Sequence, residues 1–343
     1  MRVLFWGTPE FAVPTLLALG EEGHQVVGVV TQPDRPAGRG RALRPSAVSE
    51  LAEAEGIPLF KPERPRGEAF LDELRALDAE VSVVVAYGHI LRPEVLELPP
   101  YGSINVHASL LPALRGAAPI HWAIAQGHDV TGVTIMRMSE GMDAGPILHR
   151  VEVPIDPHEN STELAVRLSE VGAQALMQTL ALLELGLVEA REQDHAAATF
   201  APKVSRTVAR IDWSRSAHEV KDHVRAMDRV PGAWSELDGQ PVKLFRPRLE
   251  PHQPEVAEVA GLAGVAGAAD AAPEVGAAGA APVAAGVAPG TVVDAEPGAA
   301  RGVGVATGEG VVWFGEVQPP GRRRMAAEAW LAGRGVTEGQ RFE

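Results

Sequence analysis

Residues 2–34, "RVLFWGTPEFAVPTLLALGEEGHQVVGVVTQPD", constrain the fold more than any other stretch of the chain. Val3 to Trp6 is an unbroken apolar run, as expected for a parallel strand covered on both faces. Gly7-Thr8-Pro9 breaks it, and Phe11 to Leu19 reads as a helix stopped at Gly20 or Gly23. Val26 to Val30 is a second buried strand. Strand, helix and strand in that order make a crossover unit and put the N-terminal half in the α/β class. The same pattern continues. Helices are predicted at Glu50–Glu55, Glu68–Leu77 and about Ala117–Gln126, and strands at Val81–Ala86, Ser103–Val106 and Gly132–Met138. Asn160 with Glu163 has the form of a capping box, opening a long helix to about Leu185 that Gly186 stops.

A length of 343 residues is too great for one compact core and fits two domains. The expected division is a Rossmann-like, mostly parallel sheet domain over 1–189, a polar linker over 190–207, and a second domain over 208–343. The second carries a helix from Ser216 to about Arg229. It then shows short candidate strands at Trp234–Leu237, Val242–Phe245, Gly290–Val293, Gly302–Ala306 and Val311–Glu316. Short strands between glycine turns predict a small β-barrel, OB-like in size. Residues 254–289 are Ala, Gly, Val and Pro with a few acids and no aromatic side chain, so they read as a low-complexity insertion.

Several classes are excluded or disfavoured. With no cysteine there are no disulfides and no thiolate metal sites. The apolar run at the N-terminus is too short for a signal peptide, and no run approaches the roughly 18 apolar residues of a membrane span. A cytoplasmic protein is the expectation. The first glycine region is "GTPEFA", which lacks both the dinucleotide fingerprint and a Walker loop. The net charge of −14 argues against nucleic acid as a partner of the whole surface. The charge is uneven, however. Residues 251–300 hold six acids and no Lys or Arg, whereas 35–44 hold four arginines (Arg35, Arg39, Arg41, Arg44) and no acid.

Chemistry is concentrated in "NVHASLLPALRG", Asn105 to Gly116. Asn105 and His107 stand at i and i+2, so on a strand they share a face. Ligands of open α/β sheets bind beyond the carboxyl ends of the strands, where this stretch lies. Residue spacing alone leaves two readings open: a hydrogen-bonded pair finishing a strand, or a donor and an imidazole aimed at one substrate atom. Asp143, in the glycine-flanked "SEGMDAGPIL", is by itself a turn residue. Brought to the same place, Asn, His and Asp would suit acyl transfer. Asn would donate to a developing oxyanion, His would move protons or stabilise charge, and Asp would orient or charge-balance the His. His24, His121, His149, His218 and His223 read as non-catalytic, the last three as surface residues. Trp122, Trp213 and Trp234 read as packing anchors.

Three long stretches carry a resemblance. "NVHASLLPALRGAAPIHWAI", "GVTIMRMSEGMDAGPIL" and "VVVAYGHIL" resemble, in order, signatures of the formyltransferases that use 10-formyltetrahydrofolate. "FWGTPEFAVPTL", "TQPDRPAGRGRAL" and "RIDWSRSA" are similar to members whose acceptor is methionyl initiator tRNA. The resemblance covers nearly the whole chain outside 254–289. It implies that Asn105, His107 and Asp143 are catalytic and that Ser109, Leu110, Leu111 and Pro112 help bind the folate. Ala86 to Leu91 would surround its pterin ring. The acceptor amine would attack the formyl carbon, tetrahydrofolate would leave, and no metal would take part. The basic loop would meet the tRNA acceptor end through Arg41 and then Arg39, and the chain would act as a monomer. Further backbone contacts would come from among Arg206, Arg210, Lys221, Arg225, Lys243, Arg246, Arg248 and Arg322 to Arg324. Leu114, where relatives often have an aromatic, and the bulky Trp6 depart from the pattern without touching the trio. Formyl transfer to a small amine such as an amino sugar nucleotide or a glycinamide ribonucleotide, hydrolysis of formyltetrahydrofolate, and a non-catalytic RNA-binding relative are the competing readings. The basic loop and the intact trio speak against them.

Overall fold

The computed structural model describes residues 1–37, 42–249, 286–296 and 301–343. Arg39, Arg41 and most of the 254–289 insertion lie outside the described residues. The chain divides into two compact units, Met1–Ile124 with His128–Val204, and Ala125–Gly127 with Ser205–Glu343.

The first unit opens with β1 (Arg2–Gly7), α1 (Val13–Glu21) and β2 (Gln25–Val30). A short hairpin, β3 (Arg35–Ala37) and β4 (Ala42–Arg44), follows. Then come α2 (Ala47–Ala54), β5 (Leu59–Phe60), α3 (Glu68–Arg75), β6 (Val81–Val85), α4 (Pro93–Leu96) and β7 (Ser103–His107). The unit closes with α5 (Pro119–Ala125), β8 (Val130–Arg137), β9 (Ile147–Pro154) and α6 (Ser161–Glu184).

Seven strands form one sheet in the order β5-β2-β1-β6-β7-β8-β9. The pairs from β5 to β7 are parallel, and β8 and β9 run antiparallel. The apolar runs that predicted buried strands are buried: Val3 to Trp6, and Val81 to Val85 with Ser82 among them. Trp6, Tyr87, Leu91 and Val95 share one core cluster on α3's side with Leu71 and Leu74. The chain winds outward from β1 through β2 to β5, then returns to β6 on β1's other side. That reversal opens a crevice beyond the carboxyl ends of β1 and β6.

Helix α6 begins with a capping box, Asn160 Oδ1 accepting from the Thr162 and Glu163 amides while Glu163 accepts from the Asn160 amide. In this unit the β3–β4 hairpin, β5, α4 and β9 escaped the sequence pattern. β9 is an edge strand with one buried residue, Val153, and its opening Ile147-Leu148-His149 breaks the alternation that Arg150 to Val153 shows. The β3–β4 hairpin is built from Arg, Pro, Ala and Leu, a composition with weak strand preference. The segment read as a linker is ordered within the first unit as far as Val204. Arg191 pairs with Ile147, Phe200 bridges to Arg115, and Trp122 Nε1 donates to Pro202 O at 2.7 Å.

The second unit contains α7 (Ala217–Met227), β10 (Trp234–Leu237), β11 (Gln240–Arg248), β12 (Val292–Asp294), β13 (Val303–Ala306), β14 (Val311–Gln318), β15 (Met325–Ala326) and α8 (Ala327–Ala332). The antiparallel path is β10-β11-β14-β13-β12, with β15 on β14. The last residues join its two ends. Phe342 bridges Leu237 of β10, and Arg341 bridges Thr291 beside β12. The curled sheet is thereby drawn into a small barrel. Trp213 anchors its core, edge-on to Phe314 at 5.9 Å and beside Phe342 at 5.8 Å, with Nε1 donating to Ser235 Oγ.

Some side chains correct the sequence reading. His223 is no surface residue: its Nε2 is buried without a hydrogen-bond partner among the described residues, and burial lowers its pKa. Arg225 is buried and paired with Asp222 at 2.8 Å. Arg324 pairs with Asp228 and Glu316 and lies 4.0 Å over the Phe245 ring. Both are engaged inside the fold. Trp234 is more than an anchor, because the guanidiniums of Arg206 and Arg210 lie 4.9 and 5.4 Å from its ring centre.

Candidate active site

A cavity of about 540 Å³ sits at the carboxyl ends of β1, β6 and β7. Pro9 and Phe11 follow β1, Ala86 to His89 follow β6, and Asn105 to Ala108 end β7. The segment from Gly116 to His121 and Asp143 complete the wall. The structure therefore brings Asn105, His107 and Asp143 together at the crevice that the winding of the sheet creates. Their alignment follows from the strand. Asn105 pairs with Met136 and His107 with Thr134 across β8, which fixes both on one face.

The His107 ring is 6% exposed. Its Nε2 lies 3.1 Å from the carbonyl of Leu114, which can only accept, so Nε2 carries a hydrogen. Leu114 reaches it from a left-handed conformation, φ +59°. The other ring nitrogen, Nδ1, faces Asp143 Oδ2 at 3.7 Å. Thus Leu114, expected to stay clear of the trio, touches it through its backbone. A carbonyl leaves no trace in the residue pattern, and the αL geometry that aims it is unusual for leucine.

Asp143 also sits in the left-handed region, at φ +48°. Its Oδ2 accepts from the Gly116 amide at 2.8 Å. Gly116 has φ +121°, and a Cβ there would lie 2.8 Å from Ala201 O, so glycine is required. The side-chain amide of Asn105 has no hydrogen-bond partner among the described residues, although it lines the cavity. A fixed, unpartnered donor beside an imidazole and a carboxylate can stabilise charge on an oxygen while a proton moves nearby.

The other expected site residues fall differently. Ala86 to His89 line the cavity, whereas Leu91 is buried in the core behind it. Among the described residues the buried Tyr87 hydroxyl has no hydrogen-bond partner, and burial pushes its pKa up to about 12. Ser109 to Pro112 are absent from the lining. Ser109 Oγ donates to Ala113 O at 2.6 Å, Thr134 Oγ1 donates to Ser109 O, and Leu111 is fully buried. Leu111 and Pro112 border a separate depression with Leu182 and Leu187. His121, read from sequence as non-catalytic, is a lining residue, and His89 lines the cavity as part of the expected 86–91 loop. No group of His, Asp or Glu able to hold a metal occurs among the described residues.

With this geometry in hand, residues 1–180 match the family model described as formyl transferase, and 203–335 match that of the formyl transferase C-terminal domain. A methionyl-tRNA formyltransferase of Synechococcus sp. (strain JA-3-3Ab) is 43% identical over 351 residues, covering 100% of this chain and 98% of the relative. One from Symbiobacterium thermophilum is 42% identical over 342 residues, covering 100% and 95%. Among solved structures, HypX from Aquifex aeolicus in complex with tetrahydrofolic acid matches 98% of this chain and 48% of its own, with a TM-score of 0.60 at 19% identity. That likeness supports the fold.

Proposed function

The chain belongs to the formyl transferase family, and from that premise we propose that it moves a formyl group from 10-formyltetrahydrofolate to the amine of methionyl initiator tRNA. The observation that carries the reading is the convergence of Asn105, His107 and Asp143 in one cavity at the sheet's switch point.

The cavity fits a folate ring in size and lining. About 540 Å³ is within the usual range of small-molecule sites. Phe11 and His89 bring rings to the lining, while Tyr87, 2% exposed, packs its ring against Trp6 at 5.2 Å. Bound there, the folate supplies the formyl carbon. Ser109 to Pro112 back the wall behind His107 rather than line it.

The residues then divide the work. The attacking α-amine is neutral in an appreciable fraction, since such groups titrate near pH ~8. Asn105 donates to the oxygen on which negative charge grows, an interaction worth about 3 to 4 kcal/mol in related settings. His107 keeps its hydrogen on Nε2 for Leu114, so Nδ1 is the atom that receives the proton from the amine. Asp143, 3.7 Å away, stabilises the imidazolium that results. As the tetrahedral intermediate collapses, the bond from the formyl carbon to the folate nitrogen breaks and Nδ1 returns the proton to that nitrogen, so that tetrahydrofolate leaves. Burial of His107 limits water at the reacting atoms.

Acceptor choice falls to the arginine hairpin, with Arg41 and Arg39 between β3 and β4, and to exposed arginines of the barrel. The chain acts as a monomer in the cytoplasm. The test is transfer of labelled formyl from 10-formyltetrahydrofolate to charged initiator tRNA, with small amines as competitors. Label on the methionine supports the reading. Label on a small amine, or no transfer with normal tRNA binding, overturns it.

A further inference from the structure

Arg115 is a cation only 6% exposed, and no carboxylate pairs with it among the described residues. A buried charge of this kind needs dense hydrogen bonding. Its guanidinium donates through Nε and Nη2 to one oxygen, Gln193 Oε1, at 3.1 and 2.6 Å. Nη2 also lies 3.0 Å from His195 Nδ1. Gln193 is itself 5% exposed. The guanidinium can only donate, so the oxygen of the Gln193 amide must face it. The amide nitrogen then turns the other way and donates to Asp143 O at 2.9 Å and Gly145 O at 2.7 Å.

Those two carbonyls bracket the turn that presents the Asp143 carboxylate. Asp143 is at φ +48°, a conformation that persists only where surrounding contacts hold it. Gly145 is pinned beneath Arg137 O, 1.9 Å from where a Cβ would stand. On the far side, the Gly116 amide holds Oδ2, and Gly116 is the neighbour of Arg115. The Arg115 backbone is fixed in turn: its amide donates to Thr199 O at 2.9 Å, and its carbonyl accepts from Ala201 N at 2.7 Å. The result is a closed circuit from Arg115 through Gln193 to the Asp143 backbone, and from the Asp143 carboxylate back to Gly116.

We propose that Gln193 is a positioning residue for formyl transfer, acting through Asp143 by holding its backbone so that the carboxylate stays opposite His107 Nδ1. The inference rests on the reading of Asn105, His107 and Asp143 as the reacting centre. Gln193 touches no reacting atom. It contributes by fixing a loop whose displacement by about 1 Å would cost on the order of 10²-fold in rate.

The experiment separates the two halves of the amide. Gln193→Glu keeps an acceptor for Arg115 and removes both donors to the Asp143 loop. For Gln193→Glu the expected result is a kcat lowered about 10- to 100-fold, with KM for folate and tRNA within about twofold and a thermal midpoint close to that of the unaltered protein. Gln193→Met, neutral and similar in size, removes the same donors but also leaves the buried Arg115 short of an acceptor, so it is read on kcat alone, with a lowered thermal midpoint expected. Asp143→Asn is measured beside them, and the double variants are followed by single turnover at high enzyme concentration. If Gln193 acts through Asp143, the double variant is no slower than Asp143→Asn alone. Losses that multiply, a loss confined to KM, or a Gln193→Glu rate within twofold of normal while Asp143→Asn is slow would overturn the proposal and leave the trio standing. A normal rate for Asp143→Asn would overturn the trio, and the proposal with it.

Discussion

The end of β7 and the arginine hairpin stand on the same α/β unit, and their side chains are held in opposite ways. At β7, His107 is buried, its Nε2 is tied to a carbonyl, and its Nδ1 has one fixed neighbour. In the hairpin, Arg35 and Arg44 face each other across the strands with exposed side chains, and Leu43 is exposed between them. Arg35 Nη2 donates to Gln32 Oε1 at 2.5 Å. The first region holds its polar atoms through contacts with the backbone, His107 Nε2 on Leu114 O and Asp143 Oδ2 on the Gly116 amide. The second offers positive charge at the surface of an acidic protein. Bond-making needs the former, because misaligned donors lose their hold on developing charge. Recognition of a phosphate backbone needs the latter, since charge acts over a Debye length.

Substitutions can break this division or refine it. His107→Ala removes the proton acceptor and should lower kcat by about 10² to 10⁴, with the fold intact by circular dichroism. A near-normal kcat would take His107 out of the chemistry. Asn105→Ala should lower kcat by about 10² to 10³ and leave KM for tRNA little changed; a larger change in KM than in kcat would make Asn105 a binding residue instead. Arg41→Ala should raise KM for tRNA about tenfold, leave kcat alone, and flatten the salt dependence of binding. Equal affinity across salt concentrations for both proteins would remove the hairpin from acceptor choice. The smallest effect is expected at the hairpin's base, where Lys61 Nζ holds Asp34 at 2.9 Å and Glu53 at 3.3 Å. Lys61→Met should raise KM for tRNA about twofold and change stability by under about 1 kcal/mol in thermal melts. A fall in kcat there would couple the hairpin to the chemistry.

Much of this was legible in the residues. Buried parallel strands announce themselves as Val-rich runs, so β1, β2 and β6 and the crevice they enclose could be read directly. The spacing of Asn105 and His107 put both on one face of β7 but left a hydrogen-bonded strand end open as a reading, and the resemblance of the flanking stretches was needed to read a site there. What stayed hidden is held by contacts distant in the chain. Leu114 serves His107 through a backbone carbonyl, which any residue could provide. Residues 191–201 looked like a linker because their order comes from Ile147, Arg115 and the Asp143 loop, not from a local period. Ser109 carries a hydroxyl that suggests a ligand contact, yet a turn uses it first.

The division between chemistry and acceptor choice is tested most directly on the unaltered protein, by measuring kcat and kcat/KM for methionyl initiator tRNA across a range of salt concentrations. The account predicts a kcat that stays flat while log kcat/KM falls with log salt by about 0.7 to 0.9 for each phosphate contact. A kcat that falls in parallel with kcat/KM, or a kcat/KM indifferent to salt, would contradict it.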